Sequence, residues 1–163
     1  MFSFLQTPLY IQISPASVVV KNLKTGVNFS ETPDVAITHR AGSSRIVGFG
    51  AEAHLLKATG QADVVINPFA HPRSMVSDFT VAQQLLKHLV RKSLGTTFLQ
   101  SAPHVVLHPL GDPEGGFTQV EIRALFELAL GAGAAKVKVW TGRPLTDGEA
   151  KTRTFPHGAG VLH

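Results

Sequence analysis

Cysteine is absent from this chain of 163 residues. That excludes a disulfide framework and any thiolate metal site, and it fits a reducing compartment. Charge is sparse too, with 16% Asp, Glu, Lys and Arg and a net charge of +4. The basic residues stand singly (Lys21, Lys24, Arg40, Arg45, Lys57), apart from those between Lys87 and Lys92 and the pair Lys136/Lys138. No dense basic run with interleaved aromatics occurs, which argues against a nucleic-acid partner. No stretch approaches the ~18 uncharged apolar residues of a membrane-spanning helix. Met1–Leu5 is apolar but short, and it lacks the basic lead of a signal peptide. Its plain reading is a frayed start; its sharper reading is weak membrane contact.

What is present is apolar: 44% hydrophobic residues make a globular chain of single-domain size. Leu9–Ile13 and Val18–Lys21 are β-rich runs divided by the turn cluster Ser14-Pro15-Ala16-Ser17. A third run, Asp34–Thr38, completes a three-strand meander in outline. Arg45–Phe49 predicts a short strand, and Ala51–Ala58 a helix that stops at Gly60. The prolines of Asn67–Arg73 exclude a regular element there. Ser77 or Asp78 caps a helix over 79–94, with Ala82, Leu85, Leu86, Leu89 and Val90 at helical spacing. His104–Leu107 reads as a buried strand and 111–116 as a loop.

The helix over 117–130 carries apolar residues on two faces, Val120, Ala124, Leu125 and Leu128 on one and Ile122, Phe126 and Leu130 on the other. That predicts burial on both sides. Arg123 and Glu127 are spaced to pair. Val137–Trp140 is the last clear strand. The expected organisation is one subdomain over 1–145 with a loosely held tail over 146–163. Strands alternating with helices imply parallel pairing. The fold class is α/β, ribonuclease-H-like: a mixed sheet in which an antiparallel meander is extended by parallel α/β units.

Eight histidines invite a metal reading. His104 and His108 lie along a strand and its exit, where that spacing does not converge. His39, His54, His71 and His88 have no partner at ligand spacing, so no metal is expected. The loop 111–116 lacks the Lys-Ser/Thr of a phosphate-binding loop and the alternating oxygens of a calcium loop. An anion at the following helix N-terminus is disfavoured by Asp112 and Glu114. Arg143 with Lys136 and Lys138 reads as a solvated basic edge. Phe98, Leu99 and Phe155 are candidates for covering an exposed surface or binding a partner.

Particular residues resemble the MreB family of bacterial actin-like proteins. Thr118-Gln119-Val120-Glu121-Ile122-Arg123-Ala124, followed by Ala129-Leu130-Gly131-Ala132-Gly133-Ala134, is similar to that family's TQVERRA…ALGAGA stretch. Val76-Ser77-Asp78-Phe79-Thr80-Val81 resembles its VIADFTV-like segment, Ile66-Asn67-Pro68 its Ile-Arg-Pro, and Glu31–Ile37 its EPSVVAI strand. The resemblance runs from about Pro8 to Arg143 and implies a truncated N-terminal part of an actin-type ATPase.

The family's phosphate loop reads IDLGTANT, with an Asp for the metal and small residues whose N–H groups face phosphate. This chain has Gln12, Ser14, Pro15 and Ser17 in that loop. Gln12 brings no negative charge for Mg²⁺, and Pro15 removes an N–H. Where the resemblance implies a water-positioning Glu, Thr141 and Gly142 stand. Asp147 and Glu149 are offset from it. The expectation is therefore a non-catalytic cytoplasmic protein, at or near the inner face of the membrane. It is expected to use no cofactor and to act by self-association or by contact with a full-length MreB-like filament. The alternative is a nucleotide-binding half, using ATP and Mg²⁺, completed by a second chain.

Overall fold

Strict alternation in the first two strands sets up the architecture. In β1 (Pro8–Ile13) Leu9, Ile11 and Ile13 point to one side and Tyr10 to the other. β2 (Val18–Asn22) returns antiparallel, pairing Ile13 with Val18 and Leu9 with Asn22. The computed structural model describes residues 6–96, 101–111 and 113–163. Met1–Leu5, Phe98, Leu99 and Asp112 lie outside the described residues.

The remaining elements, in chain order, are β3 (Asn28–Glu31), β4 (Val35–Arg40), β5 (Ser43–Phe49), α1 (Ala51–Ala58), β6 (Val64–Ile66), α2 (Phe79–Leu94), β7 (His104–Pro109), α3 (Gln119–Gly131), β8 (Lys136–Gly142), α4 (Asp147–Thr152) and β9 (Gly160–Leu162). One sheet has the order β3-β2-β1-β7-β8-β9 and a second the order β5-β4-β6. β7 and β8 join β1 in parallel, as two α/β units require. This is the mixed sheet expected from the sequence, with one correction. The third strand of the meander is Asn28–Glu31, not Asp34–Thr38. The apolar run Val35–Ile37 is instead the centre of the small second sheet, flanked by β5 and β6. A polar edge strand carries little period-2 signal, so the stronger apolar run stood in for it.

α2 follows from its sequence. Asp78 caps it, accepting from Val81 N at 3.0 Å. Gly95, at φ 75, ends it in the left-handed region that glycine tolerates. Its buried stripe Val81, Ala82, Leu85, Leu86, Leu89 and Val90 packs on Leu9, Ile11, Val18 and Val20 and on α3. Each fully buried Leu there contributes about 2 kcal/mol.

α3 departs from expectation. Leu125, Leu128 and Ala129 are buried, and Ile122, Ala124, Phe126 and Leu130 half-buried, but Val120 is 79% exposed. The predicted two-sided burial is therefore corrected to one buried face. Arg123 and Glu127 pair at 2.5 Å, as their spacing predicts.

The tail is also corrected. A capping box, in which Thr146 accepts from Glu149 N and Glu149 from Thr146 N, starts α4. Leu145 and Ala150 are buried against Tyr10, Val106 and Trp140, and Phe155 stacks on Trp140 at 5.5 Å. β9 then adds to the sheet, with Thr141 opposite Val161 and Gly142 opposite Gly160. Residues 146–163 thus cover the sheet face that α2 and α3 leave open. No helix among the described residues is long and apolar enough to cross a membrane.

Candidate functional site

Open α/β sheets bind ligands outside the carboxyl ends of their parallel strands. Here those ends are Ile13, Pro109 and Gly142. Ile13 pairs with Pro109, and Leu110 N donates to Ile13 O at 2.7 Å. The fold therefore brings Gln12, Ser14, Pro15 and Ser17 to the same edge as Thr141 and Gly142, although more than 120 positions separate them.

At this edge the polar groups of the first turn bond to one another. Ser14 N donates to Ser17 O at 2.9 Å, and Ser17 N donates to Ser14 Oγ at 3.1 Å. Ser14 Oγ also donates to Ser17 O. Pro15 has no N–H, and its carbonyl accepts from Asn67 Nδ2 at 2.8 Å. Gln12 sits half-buried in β1, in register with Val19 and His108.

The other wall is closed by the chain's own end. Gly142 lies at φ 144, and a Cβ there would run into the Ala159 carbonyl. Its own carbonyl accepts from His108 Nε2 at 3.0 Å. That bond puts the His108 proton on Nε2 and leaves Nδ1 as acceptor. Tyr10 OH donates to Nδ1 at 2.7 Å and accepts from Leu145 N at 3.1 Å. Burial lowers the His108 pKa, with the bond to Gly142 opposing it, and burial raises that of Tyr10. Both groups are therefore neutral at pH 7. The relay ties β1, β7, the end of β8 and the start of α4 into one unit. Sequence reading missed it, because Tyr10 and His108 are 98 positions apart.

A cavity of about 500 Å³ remains between the β7–α3 loop and the paired strands β8 and β9. Gly111, Gly116, Phe117, Thr141, Gly142 and His163 line it, and among the described residues that line it none is Asp or Glu. The α3 N-terminus beside it is satisfied internally: Glu121 accepts from Thr118 N at 2.8 Å, and Thr118 Oγ1 from Glu121 N at 3.2 Å. The offset carboxylates are engaged as well. Arg143 donates to Glu149 at 2.6 and 3.0 Å and, with Thr146, holds its pKa down to about 2. Asp147 pairs with Lys21 at 2.9 Å. Arg143 is thus bound to Glu149 and does not join Lys136 and Lys138 in an open basic edge.

The histidines scatter. His39 bonds Ser44, His54 pairs with Asp34, His71 bonds the Arg73 N–H, and His88 stacks on Phe49. His104 and His108 share one face of β7 but have different partners. Among the described residues no cluster of three or more His, Cys, Asp or Glu is placed to hold a metal ion.

A family model, MreB/Mbl protein, matches residues 6–144. The cell shape-determining protein MreB of Haemophilus influenzae is 31% identical over 132 residues, and that of Escherichia coli 32% over 134. Each alignment covers 79% of this chain and 36% of the relative, so the chain spans little more than a third of these proteins. Among solved structures, MreB5 of Spiroplasma citri bound to AMPPNP superposes with a TM-score of 0.59 at 22% identity, covering 82% of this chain and 38% of that one. A non-polymerising MamK mutant bound to AMPPNP gives 0.66 at 19% identity, covering 83% and 41%. A MamK double helical filament gives 0.56 at 14% identity, covering 82% and 40%. These structural likenesses carry the actin-like fold.

Proposed function

This chain belongs to the MreB/Mbl family of actin-like, cell-shape proteins, and on that premise we propose that it acts by contact with protein and without ATP chemistry. Its partner is a second copy of itself or a full-length MreB-like filament. The observation that carries the proposal is Val120. An aliphatic side chain 79% exposed on the outer side of α3 has no role in this chain's own core. Beside it on α2 stands Phe79, 40% exposed, and the half-buried Ala124 continues the strip. The Arg123–Glu127 pair borders it. Apolar residues grouped inside a polar border are the surface pattern of protein association. MamK, a structural neighbour, is known as a double helical filament.

The non-catalytic part rests on the strand-end edge. Ser14 and Ser17 spend their N–H groups within the turn, Pro15 offers none, and Thr141 and Gly142 bring no carboxylate. Sedimentation and light scattering test the proposal, with the chain alone and mixed with a full-length MreB. Assembly or co-pelleting is expected, and Val120→Glu abolishes it while leaving the folded circular-dichroism spectrum intact. Failure of the unaltered chain to assemble or co-pellet in any mixture overturns it.

One observation favours the second reading, a nucleotide-binding half completed by another chain. The cavity of about 500 Å³ lies at the strand-end edge, and the neighbouring MreB5 was solved with AMPPNP. Calorimetric titration with Mg-ATP, alone and with a candidate second half, separates the two. Heat of binding in either arm favours the second reading.

A further inference from the structure

α4 covers the second face of the sheet only in part. Past its last turn lies another cavity, of about 470 Å³, bounded by Gln6, Lys24, His104, Lys151 and Arg153. Three of these side chains are cations, and among the described residues that line it none is acidic. Lys24 and Lys151 have no ion pair among the described residues, whereas nearby Lys21 is held by Asp147. Lys136 and Lys138 also act on His104 electrostatically, so the positive field extends along β8. The volume lies within the range of small-molecule sites.

His104 gives the cavity its chemistry. The residue is 7% exposed, and Arg153 Nη1 lies 2.8 Å from its Nδ1. A guanidinium only donates, so Nδ1 accepts and the ring proton sits on Nε2. Burial first, then the charges of Arg153, Lys136 and Lys138, hold the His104 pKa down to about 4. Among the described residues, the buried Nε2–H has no hydrogen-bond partner, and neither has Oε1 of Gln6. Buried polar atoms are nearly always paired, and two orphans beside one cavity point to a missing polar component. Arg153 itself caps α4 at φ 58, in the left-handed region where glycine is the usual residue. From that position its long cationic side chain reaches His104.

We infer that this cavity binds a small phosphomonoester, its phosphoryl group held by Lys24, Lys151 and Arg153, with His104 positioning the Arg153 guanidinium. Near neutral pH a phosphoryl group carries roughly −1.5 to −2 charges. That charge can offset both Lys24 and Lys151, where a carboxylate would offset one. Arginine presents the planar fork that suits phosphate oxygens, and lysine a movable point charge. The rest of the volume takes the body of the molecule. This site is on the opposite face of the sheet from α2 and α3, so it stands apart from the Val120 surface.

Glycerol 3-phosphate is the probe, titrated at fixed ionic strength and followed by calorimetry and by the His104 ring ¹⁵N signals, with acetate as comparison. Binding roughly tenfold or more tighter than acetate is expected, about 1.4 kcal/mol in free energy. Lys24→Ala and Lys151→Ala each weaken it about tenfold with unchanged thermal unfolding, since neither lysine is paired. Val120→Glu leaves it unaltered, which separates this site from the association surface. Equal binding of acetate and ester, or ester binding insensitive to both lysine changes, overturns the assignment. So does adsorption to phosphatidylglycerol vesicles without binding of the soluble ester.

Discussion

The two faces of the six-stranded sheet are built by different rules. On the α2–α3 face, Leu9, Ile11, Ile13, Val105, Leu107, Val137 and Val139 meet helix side chains in one continuous apolar layer. On the other face, Tyr10, Val106 and Trp140 meet the short tail elements, and specific bonds do much of the joining. Tyr10 bonds His108 and Leu145, His108 bonds Gly142, and the Trp140 indole donates to Arg143 O at 2.8 Å. The first face depends on volume and area, which many apolar residues supply. The second depends on particular donors and acceptors, each of which costs free energy when orphaned. Stability should therefore be carried by the first face, while pH sensitivity and the docking of the tail belong to the second.

The sharpest way to break this division is to carve a hole in the first face. Leu85 is fully buried between α2 and the sheet. Leu85→Ala should cost about 3–4 kcal/mol through lost transfer energy and a residual cavity. Urea unfolding reads the cost as a lower midpoint with an unchanged slope. A loss well under 1 kcal/mol would show that the α2 layer is not the main source of stability.

Acid attacks the second face. The His104 pKa falls from its ordinary 6.5 to about 4 on folding, and that of His108 is lowered as well. Between those values the unfolded chain binds a proton that the folded chain refuses, so stability rises with pH through this window. The contribution is fully present above pH 6.5, is lost as pH falls toward 4, and is flat below. At about 1.4 kcal/mol per pH unit, His104 accounts for at most about 3.5 kcal/mol. Unfolding midpoints measured from pH 7 to 4 should fall, and His104→Gln should flatten part of that fall. His88, stacked on Phe49 away from this face, is also lowered and supplies a smaller share. An unchanged slope in the His104 variant would count against this account.

The same division explains what could be read from the sequence. α2 was legible to its limits, because a helical stripe, Asp78 and Gly95 all state it locally. The Ser14–Ser17 turn was legible locally, because a Ser-Pro-Ala-Ser cluster between two apolar runs states a turn. β3 was not, because Asn28–Glu31 is a polar edge strand whose pairing is set by β2. The tail was not, because Leu145, Ala150 and Phe155 are isolated apolar residues in polar surroundings. One local signal was available there: Thr146 and Glu149 have capping-box spacing. That Ala159 would close over Gly142, and that His108 would bond its carbonyl, depends on contacts across the fold that no periodicity encodes.

Tyr10→Phe gives the smallest effect and the finest test of the comparison. It removes one oxygen and almost no volume. On the first face such a change would be nearly silent. Here it leaves His108 Nδ1 without its donor and Leu145 N–H without its acceptor, both in a buried setting. The expected cost is about 1–2 kcal/mol. It should be accompanied by faster amide exchange at Leu145 and through α4, while exchange in α2 slows or quickens only with global stability. The replacement also frees His108 to take up a proton on Nδ1, so its pKa should rise from its lowered value, visible in the ring ¹⁵N shifts. If Tyr10→Phe is neutral and α4 exchange is unmoved, apolar packing of Leu145, Ala150 and Phe155 alone holds the tail. The two faces would then differ in size and not in kind.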